Sequence, residues 1–157
     1  MSQQTATSTP TATERGAWKG AVVAGAAGAI VMGALMSVMN PDVLAVAVPS
    51  LYGLAPPPNG VAGWVVHVSH GAVLGVVFAA GAGAAGIDRS VGRSAVAGVV
   101  YGAVIWIALA ALLMPLWLSA VGSPASPPFP NFAVPSLLWH VVYGVVLGAL
   151  YPPLRGL

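Results

Sequence analysis

The chain carries three histidines, His67, His70 and His140, and no cysteine. Imidazole is the side chain here best suited to hold a metal or a haem iron, or to pass a proton near neutral pH. His67 and His70 stand three residues apart, as do His140 and Tyr143, and that spacing places each pair on one side of a helix. The missing cysteine excludes disulfides, thiolate catalysis and thiolate-ligated metal. No HExxH, no nucleophile elbow and no serine–histidine–carboxylate set is present, so the reading leans away from an enzyme.

The elements that must position these groups are membrane helices. Charged residues make up 5% of the chain, against about 25% in a soluble domain. So few ions cannot cover a water-facing surface, whereas a lipid-facing one needs no such cover. There is no basic cluster to suggest a nucleic-acid partner; the first partner is the lipid bilayer.

Residues 1–14 are polar and rich in Ser and Thr, and are expected to form a disordered tail, because they bury too little to offset ordering. Residues 15–157 then read as one transmembrane domain with spans at about 19–39, 62–86, 94–114 and 135–151. A helix crossing the bilayer needs about 20 apolar residues. The first run exceeds the roughly 7–15 residues of a signal-peptide core, so it is read as a retained span. The last is about 25 Å long at 1.5 Å per residue, the short end of what can cross. Val43–Leu54 is too short to span and carries Pro49, which suits an interfacial or re-entrant segment. Pro115 is expected to close the third span. Arg15, Lys19, Arg89, Arg93 and Arg155 all fall on one side of this arrangement. By the positive-inside rule, both termini face the cytoplasm of a cell-membrane protein.

An offset of 73 residues brings His67 onto His140, Gly71 onto Gly144, Leu74 onto Leu147, Gly75 onto Gly148 and Phe78 onto Tyr151. It also brings Val23-Ala24-Gly25 onto Val96-Ala97-Gly98. The expected fold is therefore an all-α, four-helix transmembrane bundle of two tandem parallel hairpins, about 18–87 and 91–157. Two spans per repeat insert both copies the same way up, so His67 and His140 should share one depth. Gly71, Gly75, Gly144 and Gly148 form small-residue stripes beneath the histidines. Gly25 belongs to such a stripe in the first span, and Gly98 with Gly102 makes a GxxxG in the third.

Several chemistries fit these residues. His67, His70, His140 and Tyr143 can be interhelical hydrogen-bond glue in an accessory or structural subunit of a membrane complex, or of a homo-oligomer. His67 and His140 are also candidates for the two axial ligands of haem b, with His70 and Tyr143 as neighbours. The three imidazoles together are a candidate zinc or copper set. A small transporter is a further alternative, although spans so bare of polar groups offer little for a solute to bind.

The Ala/Val/Gly-rich spans, the Ser/Thr tail and the pattern Trp139-His140, Tyr143-Gly144, Gly148 resemble uncharacterised four-span membrane proteins of halophilic archaea. That resemblance implies a four-span bundle over most of the chain. It brings no activity and no site residues with it.

Overall fold

Proline and asparagine punctuate an otherwise uninterrupted succession of helix formers, and the helices break where they stand. The computed structural model describes residues 12–157, with side chains from Ala17 onward. Helix α1 is Ala12–Met39 and ends at Asn40-Pro41-Asp42. A wide-turned, π-helical stretch Val43–Ala47 leads into α2, Val48–Ser50. Helix α3 (Gly60–Ala84) opens with the Asn59 side chain accepting from the Ala62 N–H at 3.1 Å, which satisfies a donor the first turn leaves free. Helix α4 (Val91–Ile105) continues through a second wide-turned stretch, Trp106–Leu113, into α5, Met114–Ala120. Helix α6 (Val134–Leu154) has Pro135 in its first turn, as the sequence reading expects. The expected tail lies outside the described residues, except that Ala12, Thr13 and Glu14 begin α1.

Four helical stretches are long and apolar enough to cross a membrane: Ala17–Met39, Gly60–Ala84, Val91–Ala120 and Val134–Leu154. Large aliphatic side chains cover the outside, among them Val38, Val61 and Val96 at 85%, 79% and 67% exposure. Lipid suits such a surface and water does not. The chain is a multi-pass helical membrane protein.

The third span differs from the reading that closed it at Pro115. Its helix runs on to Ala120. In the wide-turned stretch, backbone bonds skip one residue further, as where the Met114 N–H reaches the Leu109 carbonyl. Pro115 has no N–H to donate, and the carbonyl four residues before it, Ala111, instead accepts from the Asn131 N–H at 2.9 Å. Proline is tolerated in a span when another donor takes up the carbonyl it frees. The same device operates at Pro49: the Ala45 carbonyl accepts from the Asn59 N–H at 2.7 Å. Within Val43–Leu54, read from sequence as interfacial or re-entrant, Val43–Ser50 forms a short helical spur packed on α3. The spur and α5 are each followed by a glycine with positive φ, Gly53 at 68° and Gly122 at 69°, a conformation that glycine adopts at little cost.

Packing within the bundle is set by glycines. The face of Gly25 lies against the Gly71 carbonyl and the Gly75 Cα, joining α1 to α3. The face of Gly98 lies against the Gly144 carbonyl and the Gly148 Cα, joining α4 to α6. Helices α1 and α6 form the third close seam, whereas α3 and α4 touch little. At one end Gly20 meets the Leu154 carbonyl, so the start of α1 lies beside the end of α6. Lys19, Arg89, Arg93 and Arg155 all belong to this end, where Arg155 pairs with Asp88 at 2.8 Å.

Candidate functional site

A histidine inside a span must find hydrogen-bond partners among protein atoms, since lipid supplies none. His67 on α3 is 9% exposed, and its Nε2 lies 3.0 Å from the Ala29 carbonyl of α1. A carbonyl only accepts, so Nε2 carries the proton. His140 on α6 turns to its own helix, where Nδ1 donates to the Ser136 carbonyl at 2.7 Å. The two imidazoles therefore carry their protons on different nitrogens and serve different carbonyls.

Tyr143 lies one turn along α6 from His140. Its ring is 2% exposed, its Cδ2 is 3.0 Å from where a Cβ on Gly28 of α1 would stand, and its hydroxyl donates to the Gly71 carbonyl of α3 at 2.7 Å. One residue thus ties three helices. The bond also sets Tyr143 level with Gly71 on parallel helices, which puts His140 and His67 at nearby depths, about a turn away.

His70 stands beside His67 on α3, about 60° around the helix. Three residues rotate a helix by about 300°, which carries His70 to the edge of the buried stripe. It is half-buried there, and its Nε2 lies 2.7 Å from the Tyr52 hydroxyl, beyond α2. The three histidines do not gather, and among the described residues no group of three His, Asp or Glu side chains could hold a metal ion.

Neighbouring helices occupy the glycine faces that follow His67 and His140. Gly71 and Gly75 face the α1 backbone, while Gly144 faces α4 at Gly98 and Gly148 faces it at Ser94. The Tyr143 ring lies against Gly28 and Gly71 in the interior. Cavities of about 430 and 620 Å³ lie at the two ends of the bundle, the first lined by Asn40, Asp42 and Pro124, the second by Asp88, Arg89 and Arg155. Gly102 in turn accepts the His140 carbonyl against its face, so the expected small-residue positions serve helix contact.

Three groups escaped the sequence reading. Tyr101 bridges the loose α3–α4 seam: its hydroxyl donates to the Leu74 carbonyl at 2.8 Å and its ring lies 5.4 Å from that of Phe78. A hydroxyl midway along an apolar span must find an acceptor, and that was the available signal. Trp106 packs edge-on against Phe132 at 5.6 Å, and its buried indole N–H meets no acceptor among the described residues. The Asp88–Arg155 pair joins residues from separate loops, which no local spacing reveals.

No curated protein and no solved structure matches the chain significantly. A family of unknown function, DUF6789, matches residues 16–156, nearly the whole chain, and this protein belongs to that family.

Proposed function

We propose that this protein is a small structural or accessory subunit of a membrane complex, with its histidines serving as internal fasteners. The observation that carries the reading is where the polar side chains of the spans point. His67, Tyr143 and Tyr101 each bond a backbone carbonyl of another helix, and His140 bonds one of its own. None of these four side chains lines either cavity at the ends of the bundle.

The reading extends to the architecture. The two hairpins are tandem copies, inserted the same way up in the cell membrane, with both termini cytoplasmic. Support comes from contacts that recur at the 73-residue offset: Gly25 on Gly71 and Gly75, then Gly98 on Gly144 and Gly148. Each hairpin also has a wide-turned stretch, a proline, and an asparagine N–H that takes up the carbonyl the proline frees. The cations at one end support the orientation through the positive-inside rule.

The test is purification of the tagged full chain from its native membrane in mild detergent, with mass spectrometry of what accompanies it. Stoichiometric recovery of another integral membrane protein, kept in His67→Ala and His140→Ala, is the expected result. A protein that purifies alone, with a Soret band abolished by either substitution, would sink the proposal.

A further inference from the structure

We propose that the cavity at the cation-bearing end binds the phosphate headgroup of an anionic phospholipid, with an acyl chain along the alanine–glycine face of α3. The glycines of α3 divide into two sets. Gly63, Gly71 and Gly75 are filled by neighbouring backbone or by Ala29, so helix packing accounts for them. Gly81 and Gly83 face open space, and a Cβ at either would meet nothing within 4 Å. Gly83, with Ala79, Ala80, Ala84 and Gly86, forms the α3 wall of a shallow, open channel. In a bilayer such a channel is filled by something slender and apolar.

The mouth of the channel opens into a cavity of about 620 Å³, within the roughly 300–1,000 Å³ range of small-ligand sites. Asp88, Arg89 and Arg155 line it. The Asp88 carboxylate is matched by Arg155, which pairs with it through Nη2 alone. The Arg155 Nε–H is buried and has no acceptor among the described residues, and a buried donor of a charged group is costly to leave unmatched. Arg89 is exposed at the rim and pairs with no carboxylate among the described residues. A phosphate diester there would accept from Arg89 directly and from Arg155 after a small turn of its side chain, at the depth where headgroups lie. Basic pockets among transmembrane helices recognise acidic lipids in this way.

The experiment measures thermal unfolding of the delipidated full-length protein in detergent, titrated with phosphatidylglycerol, with phosphatidylcholine, or with inorganic phosphate. Wild type is expected to be stabilised by phosphatidylglycerol at lower concentration than by phosphatidylcholine, and not by millimolar phosphate. Arg89→Gln is expected to weaken the phosphatidylglycerol response about five-fold, the effect of one cation near a charged headgroup. Gly83→Leu places a side chain in open space on an exposed helix, so it keeps the fold while blocking the channel, and it is expected to weaken both lipids. Equal response of wild type to the two lipids would overturn the proposal. So would a phosphatidylglycerol preference unchanged in both variants, or inorganic phosphate reproducing the full shift.

Discussion

Glycine positions decide what a single substitution does to this bundle. At Gly25 and Gly98 an added side chain would meet the facing backbone of α3 and α6, which cannot yield without parting the helices. Gly25→Leu and Gly98→Leu should each lower the unfolding midpoint in detergent severely and to a similar degree, because they strike corresponding seams. Gly81→Ala is the counter-case: open space plus better helix propensity should stabilise by about 0.5–1 kcal/mol. Tyr143→Phe removes one hydroxyl bond between α6 and α3, and its cost, read from the same melts, should be about 0.6 kcal/mol and no more than about 1.7. Spacing alone found His67, Tyr143 and their glycines, because a small-residue stripe and a polar group at one depth leave a periodic trace. It did not reveal the partner of His70, because the Tyr52 hydroxyl that meets it belongs to the turn after α2. It failed again at Tyr101, whose acceptor belongs to a helix of the other hairpin.

The two wide-turned stretches show why a proline is a poor stop signal inside a membrane. A sequence reader scores Pro115 as a terminus because a regular helix loses a bond there. The chain avoids that loss by widening its turns just before the proline and handing the Ala111 carbonyl to Asn131. This dependence on a residue sixteen positions later is invisible to any local window. Pro115→Ala restores an N–H that competes for the Ala111 carbonyl. The helix through Met114 should then tighten while the loop around Asn131 loosens. Hydrogen exchange followed by mass spectrometry should show faster exchange at residues 128–133 and unchanged protection in α1; unchanged exchange at Asn131 would count against this account. Pro49→Ala should act in the same way on Asn59 and the entry to α3.

Across the whole molecule, the span count and the clustering of cations were legible because both follow from the order of apolar runs and charges along the chain. Which helices pack most closely was not. Aliphatic residues turned to lipid and to a neighbouring helix are chemically alike, so the contrast between the tight α1–α6 seam and the loose α3–α4 seam depends on side-chain shape. That contrast has a measurable consequence. Fragments 1–87 and 88–157, co-expressed in one membrane, should be recovered together through a tag on either, since the α1–α6 seam survives the cut. Gly28→Phe, placed where Tyr143 crosses to α1, should separate them. The meeting of Gly20 with the Leu154 carbonyl bears on connectivity itself. Helices α3 and α4, which touch little, are joined by the short Ala85–Ser90 connection, and the closely packed α1–α6 pair has no such tether. A circularly permuted chain, joined from the end of α6 to the start of α1 and opened at Asp88, should therefore reach the same bundle with its covalent link moved to the other side.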